Sequence, residues 1–137
     1  MNKVSRKVLA GVAMASASLL VLSGCASPKP GAGYIACGVS DEGSWTDKSF
    51  NESVMDGLMK AKEDLGVDVK DAESNSAEDF APNLQSMIDA GCDVTFAVGF
   101  NLVEAVNTAA EANPEVNFVT IDGWSNGATN LKPVNYK

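Results

Sequence analysis

From residue 34 onward, apolar and polar positions switch repeatedly between short continuous runs and a helical period. YIACGV, Tyr34 to Val39, has the length and apolar character of a buried parallel strand. Phe50, Val54, Leu58, Ala61 and Leu65 then recur on one helical face. Ser49 and Glu52 stand in the S-x-x-E spacing of a capping box, and Gly66 stands where a C-terminal cap belongs. Val67 to Val69, extending toward Ala72, predicts a second, weaker strand. In SNSAEDFAPNLQSMIDAG, Phe80, Leu84, Met87 and Ile88 share a face that ends at Gly91. Pro82 is tolerated only in a first turn, so regular helix is expected from about Ala81. CDVTFAVG is the clearest strand. A third helix, Leu102 to Ala112, turns Val103, Val106 and Ala110 inward and stops at Asn113-Pro114. VNFVTIDG, Val116 to Gly123, is a fourth strand, and the terminal VNYK reads as the start of another.

This order, β-α-β-α-β-α-β, predicts an α/β fold: an open parallel sheet with flanking helices, built from right-handed crossovers. The N-terminal stretch departs from it. MNKVSRK carries three positive charges, an apolar run follows, and LSGC closes it at Leu22 to Cys25. That is the pattern of a secretory signal, and the run is shorter than the about 20 residues a membrane span needs. L-S-G-C looks like the lipobox of bacterial lipoproteins. Residues 1–24 are therefore expected to be a signal peptide, Cys25 a lipidated N-terminus, and residues 25–33 a flexible tether rich in Pro and Gly. Residues 34–137 form the folded part.

All 18 acidic residues lie after Cys25 but only 7 of the 10 basic ones, so the 113 residues from Cys25 carry a formal charge of −11. Such a surface disfavours nucleic acid. The absence of His excludes a His-based triad and most zinc sites. Cys37 and Cys92 could pair in an exported protein, but their strand positions place them out of register, so two buried free thiols are expected.

In open parallel sheets, ligands bind outside the carboxyl ends of the strands. Asp41, Gly99, Phe100 and Asp122 fall there. Asp41 and Asp122 are turn-formers or acceptors for ligand hydroxyls. Asp47 is a helix cap or a ligand contact. Phe50 is the first core residue of its helix or a stacking ring, and Trp45, Phe100 and Trp124 lie in rim loops. Asn51 is a surface residue or a bidentate polar contact. No nucleophile, metal set, phosphate loop or G-x-G-x-x-G accompanies them, so neither an enzyme nor a cofactor site is expected.

D-K-S-F-N at Asp47 to Asn51, V-G-F at Val98 to Phe100, and N-P-x-V-x-F-x-x-I-D ending at Asp122 resemble, as an ordered set, the basic membrane lipoprotein or PnrA-like family. Members are capture components of ABC importers, several for purine nucleosides. The resemblance covers Ile35 to Gly123 and implies the N-terminal lobe of a type I periplasmic-binding-protein fold, truncated before its second lobe. It further implies a lipid-anchored extracytoplasmic protein that works with ABC permease subunits. Phe50 matches the stacking aromatic, Asp41 an acidic residue of the ligand loop, and Asp122 the ribose-directed carboxylate. Asp47, Asn51, Gly99 and Phe100 belong to the same motifs. Thr46 departs from the pattern, since many members have an acidic residue there. A sugar receptor of the same fold, or a surface or signalling lipoprotein without a transport role, are the alternatives.

Overall fold

The computed structural model describes residues 28 to 136, so the signal peptide and Cys25 lie outside the described residues. Five parallel strands form one sheet: β1 (Ile35–Ser40), β2 (Asp68–Ala72), β3 (Val94–Val98), β4 (Asn117–Ile121) and β5 (Leu131–Val134). Their spatial order is β2-β1-β3-β4-β5. The helices are α1 (Phe50–Leu65), α2 (Phe80–Asp89) and α3 (Val103–Ala112), the last two each entered through a short 3₁₀ turn.

Strand order decides which face each helix covers. The step from β1 to β2 runs one way along the sheet, and the steps to β3 and β4 run the other way. Right-handed crossovers then put α1 on one face and α2 and α3 on the opposite one. The side-chain alternation of β1 agrees. Cys37 and Val39 pack with Phe80, Leu84, Leu102, Val106 and Phe118, while Ala36 packs with Leu58 and Val67 under α1. Because α1 covers its face alone, an apolar recess of about 360 Å³ remains between it and the sheet, lined by Tyr34, Val54, Leu58, Leu65, Val94 and Phe96 among others.

Several local expectations need correction. Ser49 makes no side-chain cap bond at α1, so the expected capping box does not form there. Instead the Asp47 carboxylate accepts the backbone N–H groups of Ser49 at 2.7 Å, Asn51 at 3.3 Å and Glu52 at 3.1 Å. A carboxylate two residues further back reaches more orphan donors than one hydroxyl can. Gly66 does close the helix in the left-handed conformation, φ 77°. Cys37 and Cys92 are joined in a disulfide, with Cα atoms 6.0 Å apart. Cys37 is in register with Thr95, but Cys92 sits in the turn before β3 rather than on an extension of it. Gly91, at φ 73°, bends that turn, so extrapolating a straight strand overestimated the separation.

The tether is partly folded. Gly31 N–H donates to the Leu65 carbonyl at 2.8 Å, and the Lys29 ammonium donates to the Glu63 carbonyl at the end of α1. The last strand begins at Leu131, earlier than VNYK, and reaches β4 through an irregular return over residues 122–130 rather than a helix. Two buried or half-buried amides hold that return. Asn107 accepts the Asn126 N–H at 2.7 Å and donates to the Trp124 carbonyl at 3.0 Å; Asn130 donates to the carbonyls of Ala110, Asn113 and Val116. Such side chain to backbone pairing is invisible to a reading based on hydrophobic period.

Candidate ligand-binding rim

The ladder continues one residue past the carboxyl ends of the central strands. Asp41 N–H donates to the Val98 carbonyl at 3.2 Å, Gly99 N–H to that of Ile121 at 3.0 Å, and Asp122 N–H to that of Val134 at 2.9 Å. Asp41, Gly99 and Asp122 therefore stand side by side on one rim. With adjacent strands ~4.8 Å apart, the backbones of the two aspartates lie about 10 Å apart, with the glycine between them. The rim spans the point between β1 and β3 where the chain reverses its direction of winding, the place where open parallel sheets bind their ligands.

Each residue is held by a specific contact. Asp41 Oδ1 accepts the Asn51 Nδ2 amide at 2.7 Å and the Gly43 N–H at 3.0 Å. Gly99 has φ 100°, and a Cβ placed on it would lie 2.2 Å from Asp41 Oδ2. Only glycine fits that backbone and that approach. Asp122 adopts φ 59°, a left-handed conformation that is uncommon outside Gly and favoured by Asp among the rest. Its carboxylate makes no hydrogen bond within the described residues, so it is free to accept one from a ligand.

The aromatic rings divide into two groups. Phe50 is 40 % exposed at the start of α1, Phe100 is 63 % exposed, and Trp124 is 59 % exposed, so Phe50 is no core residue. Trp45 belongs elsewhere. Its Nε1–H donates to Asp71 at 2.9 Å, and its ring sits where a Cβ on Gly38 would meet it at 3.0 Å. It covers β1 and ties the loop to β2 instead of facing the rim. Tyr136 was missed by the sequence reading: past β5 the chain brings its ring to a centroid distance of 4.8 Å from Phe50, with planes tilted by 37°. Its only signal was an aromatic just beyond an apolar run, and the contact depends on where β5 lies in the sheet.

Of the two readings open for Asp47, helix cap or ligand contact, the structure shows the cap, and Asn51 is neither a surface residue nor exposed to the rim. Desolvation pushes the Asp47 carboxyl up, but the N–H groups of Glu52, Ser49 and Asn51 outweigh it and hold the carboxyl below the usual carboxylate range. Asn51 is only 2 % exposed and points at Asp41, with its own Oδ1 buried and unpartnered. The apolar recess beside α1 lies away from this constellation, since Asp41, Gly99 and Asp122 do not line it.

Comparison with known proteins agrees with the fold. Residues 35–137 match the family of PnrA-like ABC transporter substrate-binding proteins. A nucleoside-binding protein of an ABC transporter from Lactococcus lactis, BmpA, is 35 % identical over 130 residues, which cover 87 % of this chain and 37 % of that protein. Basic membrane protein A of Borreliella burgdorferi is 34 % identical over 83 residues, covering 59 % of this chain and 24 % of its own length. The chain thus spans well under half of these relatives. A solved ABC transporter solute-binding protein from Aeropyrum pernix superposes with TM-score 0.67 at 27 % identity, covering 73 % of this chain and 28 % of that one. The chain belongs to the PnrA-like family of ABC transporter substrate-binding proteins.

Proposed function

We propose that this chain contributes the first wall of a cleft that captures purine nucleosides for an ABC importer. The observation that carries the reading is the row Asp41, Gly99, Asp122 with exposed rings beside it. Two aspartates two strands apart on one rim suit the polar groups of a nucleoside, and a flat base stacks on Phe50 or Phe100. The name of the Lactococcus lactis relative, a nucleoside-binding protein, supports the same ligand class. In this reading the ligand is buried only when a second lobe closes over the rim, a hinge motion that permease subunits recognise. Lipidation at Cys25 would hold the protein at the outer face of the membrane.

The test is ligand-observed NMR, which detects millimolar affinities, on the chain from Ala26, which keeps every described residue. Adenosine, guanosine and inosine are expected to bind, ribose and galactose more weakly. Phe50→Ala should weaken nucleoside binding about three- to tenfold, the range of an aromatic stacking contact. Binding of galactose in preference to all three nucleosides would replace this reading with a sugar receptor.

A further inference from the structure

An asparagine followed by glycine carries its own reagents. The next backbone nitrogen can attack the side-chain amide carbon, and glycine leaves that nitrogen unshielded. Asn126-Gly127 is the one such pair in the sequence. We propose that Asn126 deamidates spontaneously in the folded protein, and that its isoaspartate product loosens β5 and with it the contact between Tyr136 and Phe50.

The local structure leaves the reacting groups accessible. Asn126 and Gly127 are both exposed, in a bend of the irregular return to β5. The Asn126 side-chain amide makes no hydrogen bond among the described residues. Those of Asn51, Asn83, Asn107, Asn113, Asn117 and Asn130 are each held by an acceptor. Gly127 has φ 111°, and a Cβ built on it would meet nothing within 4 Å. Its N–H donates to the Ser125 hydroxyl at 3.1 Å rather than to the sheet, so breaking one exposed bond frees it. The neighbouring asparagines lack this combination. Asn113 precedes Pro114, which has no N–H to lose. Asn130 precedes the buried Leu131, whose N–H donates to the Ala128 carbonyl.

The reaction needs only water. Gly127 N loses its proton and bonds to Asn126 Cγ, the bond from Cγ to Nδ2 breaks, and ammonia leaves with the proton. Water then opens the succinimide at either carbonyl, giving aspartate or isoaspartate at position 126. Isoaspartate routes the main chain through the side-chain carbons and so lengthens it by one methylene. The Asn126 N–H is anchored on the buried Asn107 Oδ1 at 2.7 Å, and β5 begins at Leu131. The added methylene therefore falls between the anchor and the strand. Among the described residues β5 is an edge strand that pairs with β4 alone, so no second neighbour holds its register. Tyr136 follows it and meets Phe50 at a centroid distance of 4.8 Å.

The experiment ages the chain from Ala26 in mildly acidic and mildly alkaline buffer and maps its peptides by mass spectrometry. Labelling with an isoaspartyl methyltransferase separates isoaspartate from aspartate. A synthetic peptide spanning Trp124 to Thr129 is the unfolded reference. Asn126 should convert faster as hydroxide rises, at a rate within about tenfold of the peptide, the cost of opening one hydrogen bond. Asn126→Gln should abolish the conversion, and Gly127→Ala should slow it at least about fivefold by shielding the nitrogen. In the aged native chain, amide exchange over residues 131–134 should quicken and the NOE contacts between Tyr136 and Phe50 should fade. Asn126→Asp, which adds the charge without the methylene, should leave both unchanged.

Conversion more than about 100-fold slower than in the peptide would show that the loop holds Gly127 N away from attack, and would overturn the proposal. Conversion that leaves exchange over residues 131–134 unaltered would overturn the consequence assigned to β5. An equal quickening in Asn126→Asp would assign the effect to charge and overturn that consequence too.

Discussion

The Asp47 carboxylate serves three backbone donors at the entrance to α1, and its charge carries stability as well as geometry. Its folded-state value lies below the ordinary 3.8, so it contributes stability that is complete above that value and is lost as pH falls through the lower one. Asp47→Ala should cost about 1 kcal/mol at neutral pH, the usual worth of an N-cap. Urea titrations from about pH 5 to about pH 2 should show the native chain losing more stability than the variant. An equal loss would mean that the three bonds do not depend on ionisation. Ser49 and Glu52 satisfied the capping-box spacing while Asp47 took the role, because S-x-x-E records spacing only. The loop conformation that aims Asp47 at those N–H groups, including Lys48 at φ 55°, is tertiary information.

At the scale of elements, α1 is an amphipathic helix with an incompletely covered face. Leu58 is buried, but Leu65 and Met59 are exposed, and Gly57 lines the recess, where a Cβ would meet nothing within 4 Å. Glycine costs a helix interior about 0.5–1 kcal/mol relative to alanine. Gly57→Ala should therefore stabilise the chain by roughly that amount in chemical denaturation. A loss of stability would show that the recess is smaller in solution than its lining residues allow. The central elements were legible from their periods: β1, β3 and β4 lie within two residues of the runs that predicted them, and α3 ends at Asn113-Pro114. Residues 122–130 and β5 were read poorly, because Asn107 and Asn130 hold that segment through side-chain amides and no hydrophobic repeat marks it.

Across the whole molecule, one covalent link crosses the core. The Cys37–Cys92 disulfide closes 55 residues of chain, a loop whose constraint on the unfolded state is worth about 4 kcal/mol in the chain-entropy account. Reduction should lower the melting temperature by on the order of 15 °C or more for a domain of this size. The measurement is a thermal scan with and without a strong reductant, with Cys37→Ala/Cys92→Ala as the control that must be insensitive to it. Unchanged melting of the native chain on full reduction would mean that packing of Cys37, Phe80 and Leu84 suffices without the bond.

The sequence alone determined which segments become the first four strands and the three α-helices, that the sheet is parallel, and that Asp41, Gly99 and Asp122 lie at strand ends. Those properties follow from local period and from chain order, which are one-dimensional. The same ordered motifs were enough to place the chain in its family. Only the tertiary structure decided that Cys37 and Cys92 meet, that Phe50 faces solvent and Tyr136 rather than the core, and that Trp45 turns away from the rim. It alone showed Asn51 buried against Asp41. The physical reason is common to all four: each depends on the direction of a side chain after a turn. That direction is set by strand order, positive-φ positions and backbone pairing between segments distant in the chain.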